Sequence, residues 1–321
     1  MRGRLSNILK IFIATAACRA APPSDTAPAP VTATATATAS ATVTASATAS
    51  ATASGTDLVS KRPYRLVEPD AAPDAGALPL VVLLHGYGSS GSNHDTYFGV
   101  SALTKKRGVL LAIPDGTRDH KGLLFWNATE ACCDFDGLPI DDVAYLDAVV
   151  TDVERRAHVD PAKIYVIGHS NGAFMAHAWA CEPGSRVAAI VALAGVPWSD
   201  ANKCQNRDVS VVQVHGDADR VIAFDGGLSF GNGKPYPSAE TAVAAWASRD
   251  GCSGPLRAIG APIDFDRAVP GAETSESKYE CPAGLDVELW RMHGSGHVPR
   301  FDARFASAAL DFLLAHAKKK I

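Results

Sequence analysis

The chain has little net charge of either sign: among 321 residues, 30 Lys and Arg against 34 Asp and Glu leave −4. That balance gives no basic surface for nucleic acid and no polybasic patch for a membrane. Near the N-terminus the apolar run "IFIATAA" (residues 11–17) is too short to span a bilayer as a mature helix. None of the seven cysteines falls in a C-x-x-C spacing, and the vicinal pair Cys132 and Cys133 is poor metal-ligand geometry, so no metal site is expected. No internal repeat is visible, and no long apolar insertion separates the strand-like runs.

What is there divides the chain in three. Arg2, Arg4 and Lys10 precede the short apolar run, which ends at Cys18, so residues 1–18 read as an export signal. The tetrapeptide "TAAC" looks like a bacterial lipobox, in which Cys18 would carry lipid; Thr15 departs from the usual leucine, and a plain secretory signal fits as well. Residues 19–56 are almost only Ala, Thr, Ser and Pro, with Val31 and Val43 as the largest apolar side chains. Such a segment buries too little to offset its ordering entropy and reads as a disordered tether. Residues 57–321 suit one α/β domain, and the six cysteines within them, behind an export signal, favour disulfides. Cys252 and Cys281 flank a Gly- and Pro-rich segment and are expected to pair. Cys132, Cys133, Cys181 and Cys204 should form two further bridges, with their pairing open. The location implied is extracellular, periplasmic or cell-surface, with membrane contact only through a lipid on Cys18.

Apolar runs recur at "LPLVVLL", "GVLLAIP", "KIYVI", "VAAIVALAG", "VSVVQVHG" and "DVELWRMHG". Near-continuous hydrophobicity is what parallel strands buried on both faces require. Helical patterns lie between several of them: "DVAYLDAVVTDVERRA", which Asp141 can cap, "AETAVAAWAS", and the C-terminal "FDARFASAALDFLLAHAKKK". The expectation is a doubly wound, mostly parallel sheet with helices on both faces and no large lid.

In such sheets reactive groups gather just beyond the carboxyl ends of the strands. The pattern G-x-S-x-G occurs twice, centred on Ser170 and on Ser229. Ser170 follows the strand-like "KIYVI" and precedes the helix-like "GAFMAHAWA", the context a nucleophile elbow needs; Ser229 precedes "GNGKPYP", which starts no helix. Two later strands end in "HGDAD" and "HGSGH", supplying Asp217 and Asp219, then His293 and His297. The first strand ends in "HGYG", whose glycines allow backbone N–H groups to approach a substrate oxygen; the amides of Tyr87 and Asn171 are the candidate oxyanion donors. His85 reads as a structural hydrogen-bonding residue. Trp126, in "FWNATEACC", is a candidate aromatic wall of the cleft, with burial in the core the equal alternative.

Together "VVLLHGYGSSG", "FWNATEACCD", "DDVAYLDAVV", "IYVIGHSNGAFMAHAWACE", "VHGDADRVIAFDGG" and "GSGH" resemble the polyhydroxybutyrate depolymerase and feruloyl esterase-like family of secreted α/β-hydrolases, over roughly residues 65–313. The resemblance implies a serine esterase with Ser170 as nucleophile, His297 as base and Asp219 as its acid, with Asp217 and His293 supporting. It implies no cofactor, and an ester substrate that is small or polymeric, such as a polyhydroxyalkanoate or a feruloylated polysaccharide. The sequence departs from the family in "GHVPR", where relatives often have "GHTWPG", and in Asn171 and Ala173, where many have "SAGG". Two other readings remain: a serine peptidase of similar fold, and a non-catalytic binding lipoprotein.

Overall fold

A computed structural model of the chain describes residues 55–70 and 76–318. The export signal and all of the tether but its last two residues lie outside the described residues. In chain order the elements are α1 (Gly55–Lys61), β1 (Arg65–Val67), β2 (Leu78–Leu84), α2 (Gly91–Phe98), α3 (Val100–Lys106) and β3 (Leu110–Ile113). A small hairpin, β4 (Thr117–Arg118) and β5 (Leu124–Phe125), precedes α4 (Asp142–Arg156), β6 (Val159–His169), α5 (Asn171–Cys181), β7 (Val187–Leu193) and β8 (Ser210–Gly216). A second hairpin, β9 (Gly227–Leu228) and β10 (Pro235–Tyr236), leads to α6 (Ala239–Arg249). The chain continues through β11 (Ser253–Ile263), β12 (Thr274–Glu280), β13 (Val287–Met292) and α7 (Ala303–Leu314). Helix α1 thus begins two residues inside the segment read as tether.

Nine strands form one sheet in the order β1-β3-β2-β6-β7-β8-β13-β12-β11. The six from β3 to β13 run parallel; β1 at one edge and β12 and β11 at the other are antiparallel. Alternation along β2 shows why both faces are covered. Leu80, Val82 and Leu84 join the core under α4, α5 and α6, whereas Val81 and Leu83 join Phe98, Val100, Phe305 and Leu310 of α2, α3 and α7. A strand apolar at every position is the sequence signature of that double burial. Asp141 caps α4 by accepting the Ala144 N–H at 2.8 Å. Helix α5 is buried along its whole length, which is why its sequence is apolar all round. Helix α7 ends at Leu314, before the lysines at its C-terminal side.

One region differs from the sequence reading. The Gly- and Pro-rich segment between Cys252 and Cys281, which shows no strand pattern in the sequence, builds the β11–β12 hairpin that extends the sheet. Most of β11 is exposed, so it carries no apolar alternation to mark it as a strand. The Cys252–Cys281 disulfide forms as expected and staples the base of this hairpin, next to the Ser253–Glu280 pair. The remaining bridges are Cys181–Cys204, tying the end of α5 to the segment before β8, and Cys132–Cys133.

Closing a loop of 29 residues stabilises the fold by about 3–4 kcal/mol in the chain-entropy treatment. Replacing Cys252 and Cys281 by Ala should therefore lower the urea-unfolding free energy by about that amount. A loss under about 1 kcal/mol would contradict the bracing role.

Candidate active site

Ser170 stands at the sharp turn between β6 and α5, with φ 54° and ψ −122°. Such a backbone is strained for any residue with a side chain, and it persists only where the surroundings enforce it. Three glycines permit the packing that does so. A Cβ on Gly168 would lie 2.2 Å from the Gly172 carbonyl oxygen, one on Gly172 2.3 Å from that of Leu84, and one on Gly195 2.4 Å from that of Ser170. The glycines on either side of Ser170 are thus demanded by contact. Ser229, by contrast, sits in the turn of the β9–β10 hairpin, where its hydroxyl accepts the Gly231 N–H at 3.4 Å.

Parallel strands β6, β8 and β13 end at one edge of the sheet, and their exit loops bring the predicted residues together. His297 Nε2 lies 2.9 Å from Ser170 Oγ, and His297 Nδ1 lies 2.7 Å from Asp219 Oδ2. An ionised carboxylate only accepts, so Nδ1 carries the proton and Nε2 is free to accept from the Ser170 hydroxyl. Burial pushes the Asp219 carboxyl up, but the nearby His215 ring, the bond from His297 and the bond from the Val221 N–H outweigh it and hold it well below the usual carboxylate range. Asp219 Oδ1 accepts the Val221 and Ile222 amides at 2.7 and 3.0 Å.

Behind that loop runs a buried polar line. Trp246 Nε1 donates to His177 Nδ1 at 3.0 Å, His177 Nε2 to Gln213 Oε1 at 3.0 Å, and Gln213 Nε2 to His215 Nδ1 at 3.3 Å. His215 Nε2 ends the line on the Ile222 carbonyl at 2.8 Å.

Asp217 and His293 lie apart from this centre. Asp217 accepts from Arg291 Nε, His293 Nδ1 and the Gly294 N–H at 3.1, 3.0 and 2.7 Å, tying the end of β8 to the loop after β13. His293 Nε2 is also 3.0 Å from Ser275 Oγ, so the same order of atoms recurs there. Ser275, however, lies within β12, paired with Arg291, and has no sharp turn beneath it.

The turn after β2 packs on Ser170: a Cβ on Gly86 would be 3.3 Å from Ser170 Cβ. Neither the Tyr87 nor the Asn171 backbone N–H has a backbone acceptor among the described residues. Residues 86–91 also match the G-x-G-x-x-G spacing of a dinucleotide loop. Here the Asp115 carboxylate accepts the Gly91 N–H at 2.7 Å, so negative charge already occupies the helix end that a pyrophosphate would use. His85 is fully buried, bonded to the Gly86 carbonyl and the Gly116 N–H, as befits a structural residue.

Trp126 does not line the cleft. It is fully buried, and its Nε1 donates to the His85 carbonyl at 3.0 Å. The Asn171 side chain brackets its backbone, accepting from Trp126 N at 2.7 Å and donating to its carbonyl at 2.9 Å. The indole therefore ties the turn after β2 to the start of α5. The cavity of about 370 Å³ beside Ser170 is lined instead by Tyr87, His94, Tyr97, His169, His297 and Val298, among others. Of these, the sequence reading missed His94, Tyr97, His169 and Val298. A larger cavity of about 620 Å³, lined in part by Arg62, Arg118 and Tyr145, holds none of the residues of this centre.

Burial first, then the His85 charge, pushes His94 down to about 4; burial, then His297 and His94, pushes His169 down to about 3. A histidine whose folded value lies below its unfolded one stabilises the fold only while neutral. That contribution is complete above about pH 6.5 and is lost as pH falls toward the folded value. At pH 5 the ring-nitrogen NMR shifts of His94 and His169 should still be those of neutral imidazole. A midpoint near pH 6.5 for either ring would contradict this.

The family profile described as "alpha/beta hydrolase fold" matches residues 79–225. The chain is 31% identical to "Putative esterase NocK" of Nocardia uniformis subsp. tsuyamanensis, over 90% of this chain and 87% of that protein. It is 27% identical to "Feruloyl esterase B" of Piromyces equi, over 69% of this chain but 40% of that longer protein. Among solved structures, the acetyl xylan esterase from Aspergillus awamori superposes with a TM-score of 0.54 at 16% identity, over 78% of this chain and 93% of that one, a likeness of fold alone.

Proposed function

This chain belongs to the α/β-hydrolase esterases and is a carboxylic ester hydrolase, and on that premise we propose that Ser170, His297 and Asp219 carry out the reaction on a bulky or polymeric ester outside the cytoplasm. The support for these roles is above all the unbroken line from Ser170 Oγ through His297 to Asp219, starting at a serine held in a positive-φ turn.

The chemistry runs in two halves. His297 Nε2 takes the Ser170 proton as Oγ attacks the ester carbonyl, and the Tyr87 and Asn171 amides receive the oxyanion. The imidazolium, stabilised by Asp219, gives its proton to the leaving alcohol, and an acyl-serine remains. Water then attacks the acyl-serine with His297 again as base; the acid leaves and Ser170 regains its proton. No cofactor enters any step.

Exposed apolar side chains near the site favour a bulky substrate. The large apolar side chains most exposed among the described residues include Leu123, beside Gly88, and Val221, two residues after Asp219, together with Phe135 and Val298. Phe135 packs on Tyr87, and Val298 lines the cavity itself. Feruloyl esterases among the relatives make a feruloylated polysaccharide one candidate, and the sequence resemblance adds a polyhydroxyalkanoate as another. Three disulfides in the described residues and the signal-like N-terminus support export, either free or through a lipid on Cys18.

With no lid-like insertion among the described residues, the cleft should prefer short acyl chains. Rates should fall steeply from p-nitrophenyl butyrate to palmitate, with no jump at the micelle threshold and no cleavage of the matching peptide amides. A maximum at palmitate with interfacial activation would overturn the open-site reading. Faster cleavage of amides than esters would favour a peptidase.

A further inference from the structure

Ser89, His94 and His169 share the cavity with Ser170 but take no part in the Ser170–His297–Asp219 line. His169 Nε2 is 2.9 Å from the His297 backbone carbonyl, His169 Nδ1 is 2.9 Å from His94 Nε2, and His94 Nδ1 is 3.1 Å from Ser89 Oγ. A carbonyl only accepts, so His169 carries its proton on Nε2. In the neutral ring Nδ1 is then bare, and the proton between the two rings must sit on His94 Nε2. His94 Nδ1 is bare in turn, and the Ser89 hydroxyl donates to it. The Gly86 N–H is a competing donor to the same His94 Nε2, at 3.2 Å, and the shorter 2.9 Å contact to His169 decides the assignment. Both rings are buried, which favours the uncharged state this chain of bonds requires.

His297 sits in a loop without regular structure, and Asp219 holds its side chain at Nδ1, leaving Nε2 to the Ser170 hydroxyl. His169 immediately precedes Ser170 and donates to the backbone of His297. One residue thus spans from the nucleophile to the base without joining their chemistry. Tyr97, from the same helix as His94, donates to the Pro299 carbonyl at 2.9 Å and holds the loop two residues further on.

We propose that Ser89, His94 and His169 are positioning residues, a one-way chain of neutral hydrogen bonds that holds the His297 backbone so that Nε2 stays within reach of Ser170 Oγ. The proposal rests on the reading of His297 as the base. A misplacement of the base should appear in kcat rather than in KM.

The test compares His94→Phe, which keeps a ring but removes the donor to His169, with His94→Gln, which keeps an N–H donor. With p-nitrophenyl butyrate, His94→Phe should lower kcat by about ten- to a hundredfold with KM within about twofold, and His94→Gln should recover most of the loss. Fluorophosphonate labelling of Ser170 should slow in parallel. Equal losses in the two variants, wild-type kcat in both, or a change confined to KM would each overturn the proposal. If His94→Phe does not fold, His169→Leu against His169→Gln poses the same question, since only Gln can donate to the His297 carbonyl. Wild-type protein that does not label at Ser170 would instead sink the triad reading. Normal labelling that His94→Phe leaves unslowed sinks the positioning proposal alone.

Discussion

The backbone of Ser170, bent to φ 54° between a strand and a helix, is the constraint on which the rest of the site depends. A conformation of that kind costs about 1–3 kcal/mol and must be enforced from outside. Gly168, Gly172 and Gly195 allow three backbone segments to close around it, at separations no Cβ would tolerate. The end of β2 presses on Gly172, and the chain after β7 presses on Ser170 itself. Sheet order makes this possible, because β2 and β7 are the two neighbours of β6. The turn projects the hydroxyl clear of the sheet and frees the first amides of α5.

Around this turn the protein buries more imidazole than a hydrophobic core tolerates without compensation. His85, His94, His169, His177 and His215 are all buried, and each has hydrogen-bond partners that fit a neutral ring. Unpaired, each polar ring would cost on the order of 1–3 kcal/mol. Paired, His177 with His215 and His94 with His169 form two supports that end on backbone carbonyls of the loops carrying Asp219 and His297. The arrangement rigidifies loops that have no regular structure of their own.

Much of this was legible in the sequence because strands buried on both faces, capped helices and a strand–turn–helix serine leave local patterns. Ser170 could be told from Ser229 by what precedes and follows each. The ends of the later strands offered Asp217, Asp219, His293 and His297 alike, and only the family resemblance preferred Asp219 and His297 among them. What failed was what local pattern does not encode. The exposed β11–β12 hairpin has no apolar face to advertise it. Trp126 is an amphipathic ring that suits a cleft wall or a core equally, and only the bracket from Asn171 and the His85 carbonyl decides for the core. His94 and His169 meet across 75 residues of chain, so nothing in either neighbourhood pairs them, although His169 lies inside the G-x-S-x-G motif.

The claim that Ser170 is the reacting group is tested most directly by mapping the covalent adduct left by a fluorophosphonate probe on the full chain. The account predicts a single modified peptide containing Ser170, absent in Ser170→Ala and unchanged in Ser229→Ala and Ser275→Ala. A protein that does not react, or an adduct on Ser229 or Ser275 that survives Ser170→Ala, would contradict it.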